Sequence, residues 1–267
     1  MIQRLKELSE KYETKEFIMG DPSWFMHQVE DNTDKEIIAF IASALSYGSR
    51  KQFMAKIQMI LDDIMKEEKS YHAILTPKTE KSRSAIWLGE GKYKRLFPDN
   101  ENSFYRLYSF HTFRIFLDAL AEIINKYGSI KQLIISENNI SIGEKIDAIA
   151  AIKTITKWFL ENGSSGIIPK DTTSSCKRIC MFLRWMVRDN SPVDIGIWKD
   201  VINKQSLIIP MDTHVVQEAL KLGLLTSRST SMANAIKLTR KLKEAFPEDP
   251  TKGDFALFGL GVDTNEA

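Results

Sequence analysis

Apolar residues recur at the spacing of α-helices along most of this chain, and this period limits the fold more than any other feature of the sequence. Alternation of apolar and polar residues does not persist over a convincing strand length, and no segment repeats another. The sequence therefore predicts an all-α fold. The predicted helices run from the capping box Thr33–Glu36 to near Gly48, over Arg50–Lys66, from Phe113 to Gly128, from Ile146 to Gly163, over Ser175–Arg188, near Gly196–Asn203, from Asp212 onward, over Ser231–Ala245 and over Gly253–Leu260.

Two stretches of weak periodicity divide the chain. Residues 78–102 contain glycine and proline and are expected to form a loop or insertion with short helical turns. Residues 163–173 (GSSGIIPKDTT) form a turn-rich break. The sequence therefore predicts one helical lobe over 33–160 and a second over 161–267, with residues 1–32 as an N-terminal segment that packs on the C-terminal lobe.

Several classes of protein are excluded by composition. The chain has no run of about 18 apolar residues, so we expect no membrane span, and its charged N-terminus does not resemble a signal peptide. Its two cysteines, Cys176 and Cys180, cannot ligate an iron–sulfur cluster, and four scattered histidines do not supply a structural zinc site. We therefore expect a reduced, cytoplasmic enzyme or binding protein without a cofactor.

The net charge of +2 is unevenly distributed, because the first 36 residues carry −4 and the remainder carries +6. Local basic surface suits a polyanionic partner, although mixed solvated helix faces are a common alternative. Two segments concentrate the positive charge: 170–188, with Lys170, Lys177, Arg178, Arg184 and Arg188, and 228–243, with Arg228, Lys237, Arg240, Lys241 and Lys243.

Lys177 and Asp212 are the residues whose predicted surroundings favour catalysis. If Ser174 or Ser175 caps the helix that follows, Lys177 lies in its first turn, where the helix dipole and partial burial lower the pKa of an amine. A neutral amine is the nucleophile of Schiff-base chemistry. Asp212 begins another helix, where an anionic carboxylate is stabilised and can balance a developing cation. The alternative is that Lys177 is solvated and Asp212 only caps its helix.

The block CKRICMFLRWMV and the later string IIPMDTHVVQEALKLGLL resemble the helix-hairpin-helix DNA glycosylases of base-excision repair. Pro210, Asp212, Thr213, His214 and Val215 match a Val-Pro-Val-Asp-Thr-His-Val-like string of that superfamily, and Lys177 matches its lysine. The gap of 35 residues between Lys177 and Asp212 is similar to that of archaeal 8-oxoguanine glycosylases. The C-terminal DPTKGDFALFGLG is similar to an uncharacterised bacterial family placed near the superfamily.

The resemblance implies a two-lobed DNA glycosylase-like fold with a helix-hairpin-helix-like element. It also implies a monomeric, nucleoid-associated enzyme that flips a damaged base out of double-stranded DNA and excises an oxidised purine such as 8-oxoguanine. Lys177 would attack C1′, giving lyase activity, and Asp212 would stabilise the sugar cation and deprotonate the nucleophile. Substrate contacts are expected from Met181, one helical turn beyond Lys177, and from Phe258 and His214. DNA contacts are expected from Tyr47, Gly48, Ser49, Arg50, Lys51, Ser174, Ser175 and Arg178.

One departure from the superfamily leaves two other functions open. The hairpin glycines, which let backbone N–H groups approach a DNA phosphate, are replaced by Thr173, Ser174 and Ser175. The serine hydroxyls could act as donors instead. The alternatives are a nucleic-acid-binding protein that kept the fold but lost catalysis, and an all-α interaction module without a nucleic-acid role.

Overall fold

The computed structural model describes residues 1–67, 81–164 and 166–265, with the backbone alone for 262–265, and it confirms the all-α prediction. The α-helices are α1 Ile2–Tyr12, α2 Asn32–Leu45, α3 Arg50–Ile64, α4 Arg83–Gly89, α5 Phe110–Tyr127, α6 Ile130–Glu137, α7 Ala148–Glu161, α8 Lys177–Val187, α9 Thr213–Lys221, α10 Met232–Leu242 and α11 Gly253–Asn265. A two-stranded antiparallel sheet pairs β1 Ser103–Tyr105 with β2 Tyr108–Ser109. Short 3₁₀ turns cover Glu16–Ile18, Pro22–His27, Lys92–Arg95, Lys204–Ser206 and Pro250–Lys252.

Most predicted helices are present, but one is absent, and α1 and α6 were not among the predicted helices. Gly128 ends α5 in the left-handed conformation, as predicted. The short helix expected near 196–203 is absent: these residues, all of them described, form turns and a bridge. Within 78–102 the structure describes α4 and a 3₁₀ turn, while residues 78–80 of that prediction, and Ser165 of the predicted break, lie outside the described residues.

The predicted capping box at the start of α2 is wrong. Asp31 is the N-cap, and its carboxylate accepts the N–H groups of Thr33 and Asp34. Glu36 points elsewhere and is buried, where its carboxylate accepts the N–H of Ile130 at 2.5 Å and caps α6 instead. Residues 33–36 have the sequence pattern of a capping box, but the Glu36 carboxylate binds the N-terminus of α6, which is distant in sequence.

The contacts group the chain into two compact units. The first unit contains residues 1–21, 140–156 and 171–267, and the second contains residues 22–139 and 157–170. No helix in the part of the chain that the structure describes is long and apolar enough to cross a membrane.

The second unit is built around stacked aromatic rings. Phe40, Phe116 and Phe159 contact one another, with ring centroids 5.8 Å apart for Phe40 and Phe116, 5.4 Å for Phe116 and Phe159 and 5.3 Å for Phe40 and Phe159. All three side chains are fully buried. Buried carboxylates fix the helices around this core, because Asp34 accepts the N–H and the hydroxyl of Ser84 at the start of α4, and Asp63 of α3 accepts the indole N–H of Trp87 at 2.9 Å.

The first unit packs its N-terminal helix against its C-terminal helix. Leu5 and Leu8 of α1 are buried, and α11 approaches α1 closely at Gly259, where a Cβ atom would lie 2.3 Å from the Tyr12 ring. Backbone hydrogen bonds between Ile146 and the 201–203 segment join the start of α7 to this unit. The unit therefore combines segments from both ends and the middle of the chain.

Candidate functional site

The first turn of α8 carries Lys177 and lacks a serine cap. The N-cap is Cys176, which adopts a left-handed φ of 48°, and no side chain caps the helix. The expectation that Ser174 or Ser175 caps α8 is therefore wrong. Ser175 is buried, and its hydroxyl donates to the carbonyl of Met211 at 2.8 Å, so it is used elsewhere.

Residues 173–175 are held by the segment that leads into α10. The N–H of Ser175 donates to the carbonyl of Thr230 at 2.9 Å, and the N–H of Met232 donates to the carbonyl of Thr173 at 3.2 Å. Ser174 is exposed. Backbone pairing thus fixes the position from which α8 starts, without the glycines of a usual hairpin.

Asp212 is the N-cap of α9, as the sequence predicted. Its backbone is extended, and its carboxylate accepts the N–H of Val215 at 2.9 Å. The residues before it, 207–211, are buried. Asp212 therefore projects from the end of a buried extended segment, which limits its freedom to move.

The side chains of Lys177 and Asp212 are in direct contact. The Lys177 Nζ lies 2.7 Å from the Asp212 Oδ2, and the two side chains are 37% and 29% exposed. The roles expected for Lys177 and Asp212 require this amine and this carboxylate to meet although 35 residues separate them, and in the structure they do. The hydrogen bond from Ser175, two residues before Lys177, to Met211, the residue before Asp212, holds the two helix starts together.

The carboxyl of Asp212 is an anion at neutral pH. Burial raises its pKa, but the charge of Lys177, the hydrogen bond from Lys177 and the N–H of Val215 together hold the pKa below its usual value. The positive charge that His214 carries when protonated acts in the same direction. A group that stays charged in a half-buried site is suited to stabilising a nearby cation.

A second carboxylate, Asp254, belongs to the same surroundings. It lies in the first turn of α11 and accepts a hydrogen bond from the Arg184 guanidinium of α8. Burial raises the pKa of Asp254, and the charges that act on it include Lys177 and Asp212. The sequence analysis did not select Asp254; its signal was an acid in the first turn of a helix within the DPTKGDFALFGLG segment.

Two of the basic residues expected at the surface of segment 170–188 are buried in ion pairs. Arg184 contacts Asp194 and Asp254, and Arg188 contacts Asp194, Asp249 and Glu13. The side chains of Arg184 and Arg188 are 5% and 2% exposed. These arginines hold the unit together and do not contribute to a basic surface. Segment 228–243 differs, because its Arg228, Lys237, Arg240, Lys241 and Lys243 are all exposed.

The other predicted site residues of this unit have varied surroundings. Met181 and Arg178 are half-buried on α8, and His214 is exposed on α9. Phe258 is 36% exposed, and its ring meets Tyr12 and Phe17 edge-on at 5.8 and 5.1 Å. Phe258 therefore packs at least partly against the N-terminal segment.

The predicted DNA contacts at 47–51 belong to the second unit. Tyr47 is half-buried; its hydroxyl donates to the carbonyl of Tyr105 at 3.4 Å and accepts the N–H of Leu107. Gly48 has a φ of 81°, which strains any other L residue, and the Arg106 side chain lies where a Cβ would be, with its guanidinium 2.5 Å away. Ser49, Arg50 and Lys51 are exposed at the start of α3.

Among the described residues, no group of three or more histidine, cysteine, aspartate or glutamate side chains could hold a metal ion. Both cysteine thiols are buried, and burial raises the pKa of each, so neither is a ready nucleophile.

Comparison with known protein families finds a match over most of the chain. The family model described as "Protein of unknown function (DUF2400)" covers residues 21–263, which include Lys177, Asp212 and Asp254. Neither the curated proteins nor the solved structures gave a match to this chain.

Proposed function

Because the chain belongs to the family of proteins of unknown function DUF2400, its activity is inferred from its site, and we propose that it is a DNA glycosylase with lyase activity. The observation that carries this proposal is the 2.7 Å contact between the Lys177 amine and the Asp212 carboxylate. Each residue stands at the start of a helix, on the positions that match the superfamily's motif. An amine beside a persistent carboxylate suits nucleophilic attack on a carbon that develops positive charge.

The proposed chemistry uses both members of the pair. Asp212 takes a proton from the Lys177 ammonium, and the freed lone pair of the Nζ forms a bond to C1′ of the damaged nucleotide while the bond from C1′ to the base breaks. The base leaves with that electron pair and takes the proton from Asp212, whose carboxylate stabilises the positive charge on the sugar. The C1′–O4′ bond then breaks, O4′ takes its electron pair and a proton from the attached nitrogen, and a Schiff base forms. Loss of a C2′ proton to water then breaks the C3′–O bond, whose electron pair leaves with the 3′ phosphate.

The substrate we propose is an oxidised purine of the 8-oxoguanine type in double-stranded DNA. An enzyme that acts at C1′ has to extrude the nucleotide, because stacking shields the glycosidic bond. The half-exposed Lys177 and Asp212 side chains suit a site that a flipped nucleotide can enter. The exposed basic residues of segment 228–243 suit contact with DNA phosphates in the nucleoid.

A panel of lesion-containing duplexes tests the proposal. End-labelled oligonucleotides that each carry one modified base (8-oxoguanine, an oxidised pyrimidine or uracil) are incubated with excess protein, and strand cleavage is measured. We expect cleavage at the oxidised purine. We also expect Lys177→Gln to abolish it, because glutamine has no nucleophilic amine.

The matched control is Lys221→Gln. Lys221 also forms a 2.7 Å ion pair with an acid, Glu218, and its side chain is 58% exposed, so its loss should leave cleavage intact. Salt-dependent DNA binding without cleavage of any lesion would contradict the proposed enzyme and favour a nucleic-acid-binding protein without catalysis. Absence of both binding and cleavage at low ionic strength would favour an interaction module.

A further inference from the structure

The tip of the small β-hairpin presents an apolar side chain to solvent. The sheet pairs Tyr105 with Tyr108, so Arg106 and Leu107 form a two-residue turn between β1 and β2. Leu107 is 88% exposed, whereas Tyr105 and Tyr108 at the base of the turn are buried. A single exposed leucine is common on protein surfaces, so its exposure alone decides nothing. The way in which the turn is built and held is more informative.

The residues of this turn are not those that a tight hairpin favours. Arg106 has a φ of 52°, in the left-handed region that glycine, asparagine and aspartate adopt most readily. Leucine is likewise not among the common turn residues. The hairpin therefore keeps a locally unfavourable turn, and residues that persist in such conformations cluster at functional sites.

Tyr47, from the segment between α2 and α3, holds the turn in place. Its hydroxyl accepts the N–H of Leu107 at 3.3 Å and donates to the carbonyl of Tyr105 at 3.4 Å. The Tyr105 hydroxyl in turn donates to the carbonyl of Tyr47. The Tyr47 ring centroid lies 5.2 Å from those of both Tyr105 and Tyr108. Leu107 is thus exposed on a rigid base, which limits the entropy that it loses when a partner covers it.

Three cations accompany this apolar tip. Arg106 lies over the Tyr47 ring, 5.5 Å from its centroid, in the space left by the missing side chain of Gly48. Arg50 and Lys51 follow Gly48 closely in sequence, at the exposed start of α3. No acid among the described residues forms an ion pair with any of the three cations. An apolar tip with unpaired cations fits a nucleic-acid duplex, which has stacked bases inside an anionic backbone.

We propose that Leu107 inserts into the base stack of duplex DNA beside the extruded nucleotide, while Arg106, Arg50 and Lys51 contact phosphates. The inference rests on the proposed function and names the residue that keeps the duplex open. Apolar side chains that enter a base step unstack it and kink the duplex. Leu107 is therefore a positioning residue, which contacts the neighbouring bases and takes no part in making or breaking bonds.

The first experiment measures unstacking without chemistry. The duplex carries one 8-oxoguanine and, beside it, 2-aminopurine, whose fluorescence rises when it loses its stacking neighbour. All proteins carry Lys177→Gln, which keeps the DNA intact, and are added to saturation as followed by anisotropy. We expect the fluorescence to rise on binding, and Leu107→Ala to reduce that rise by about threefold or more because the side chain that enters the stack is lost.

Two further variants complete this experiment. Leu107→Met keeps an apolar tip and should retain most of the fluorescence rise. Ile142→Ala is the matched control, because Ile142 is also a fully exposed apolar side chain but lies outside the hairpin, and the rise should stay unchanged. Leu107 is exposed, so Leu107→Ala should also leave the urea midpoint unchanged.

The second experiment compares single-turnover cleavage of 8-oxoguanine in a duplex and in a single strand, with Lys177 present. Leu107→Ala should lower the duplex rate by about tenfold or more and the single-strand rate by less than about twofold, because a single strand has no paired stack to open. A merely structural role of Leu107 would lower both rates equally.

The two experiments separate failure of this inference from failure of the proposed function. Protein that binds the duplex but cleaves neither substrate contradicts the proposed function, and the 2-aminopurine signal then decides alone on Leu107. Binding without a fluorescence rise, or an equal rise with Leu107→Ala, overturns the inference, as do equal losses of cleavage on both substrates. Absence of duplex binding at low ionic strength overturns both and would assign the exposed tip to a protein partner.

Discussion

Ser175 joins the two halves of the candidate site through a buried hydrogen bond. Its hydroxyl donates to the carbonyl of Met211 at 2.8 Å, next to Asp212, while Lys177 follows two positions after it in sequence. Ser174, beside it, is exposed. The two neighbouring serines thus differ in burial and in bonding, which makes them a matched pair for substitution.

Ser175→Ala should destabilise the protein, and Ser174→Ala should not. Removing the Ser175 hydroxyl leaves a buried carbonyl without this donor, at a cost of about 1–3 kcal/mol. The free energy of unfolding, measured by urea denaturation, checks this. Equal stabilities for the two variants would show that the bond to Met211 does not hold the site together.

Asp212→Asn separates a capping role from a catalytic one. Asparagine caps a helix about as well as aspartate, so the loss of stability should be limited to that of the partly exposed ion pair with Lys177, about 1 kcal/mol or less. The single-turnover cleavage rate should fall by about 10²-fold or more, because the amide cannot stabilise a sugar cation as a carboxylate does. A rate close to that of the wild type would show that Asp212 is only a helix cap and has no catalytic role.

The sequence predicted the residues of the pair but not how each is held. Lys177 and Asp212 could be selected because their residue types stand at predicted helix starts. The serine cap was wrong because Ser175 bonds to a carbonyl 36 residues away, and no local pattern reports such a partner. Arg184 and Arg188 were expected at the surface because a sequence pattern does not show which acidic residues elsewhere in the chain form ion pairs with an arginine.

At the scale of elements, the close packing of α1 on α11 depends on one glycine. A Cβ at Gly259 would lie 2.3 Å from the Tyr12 ring, whereas a Cβ at Gly261, on the same helix, would meet nothing within 4 Å. Both glycines lie on α11, but only Gly259 is packed against another residue. Comparing their alanine variants therefore isolates the contribution of this packing to stability.

Gly259→Ala should destabilise the protein by about 1–3 kcal/mol, since the new methyl group forces the Tyr12 ring or α1 to move. Gly261→Ala should be neutral or stabilising by up to about 1 kcal/mol, because alanine favours a helix over glycine. Thermal unfolding of both variants measures the difference. Loss of stability in both variants to the same degree would mean that α1 does not pack on α11 through Gly259.

The helices themselves followed from the sequence, but their individual partners did not: the N-terminal segment was expected on the C-terminal lobe, without the helix that it meets there. Helical periodicity located α5 and its end at Gly128 because both signals are local. The packing of α1 on α11 joins the two ends of the chain, and the capping of α6 by Glu36 joins residues 94 positions apart. Such contacts depend on tertiary structure, and they cannot be predicted from the spacing of apolar residues or from composition.

At the scale of the whole molecule, acid should destabilise the fold. Burial raises the pKa of Asp63 and Glu67, but hydrogen bonds outweigh burial and lower both pKa values. The donors to Asp63 are Trp87, Arg95 and Lys66, and the donors to Glu67 are Lys92 and Arg95. The pKa of Asp212 is also lowered. A carboxyl whose pKa is lower in the folded state stabilises the protein above its unfolded value, about 4, and loses that contribution as pH falls through the folded value.

From pH 7 to about 5 the urea midpoint should change little, apart from a small rise as His111, whose pKa is raised by its hydrogen bond with Asp99, gains its proton. The midpoint should fall as pH drops below about 4. Asp254, whose pKa burial raises, acts with the opposite sign and offsets part of the loss. Glu67→Gln should show a shallower fall than wild type because it lacks one of the depressed groups. A midpoint that rises as pH falls below about 4 would mean that these carboxylates are not stabilised as anions in the folded state.

The central claim is that the Lys177 amine is the nucleophile of a DNA lyase, and borohydride trapping tests it most directly. The protein is incubated with a duplex that carries one 8-oxoguanine in the presence of sodium borohydride, which reduces a Schiff base to a stable bond. The adduct is digested, and the modified lysine is identified by mass spectrometry. The account predicts a single adduct on Lys177, which Asp212→Asn diminishes. A duplex that is cleaved without any adduct, or an adduct on another amine, would contradict it.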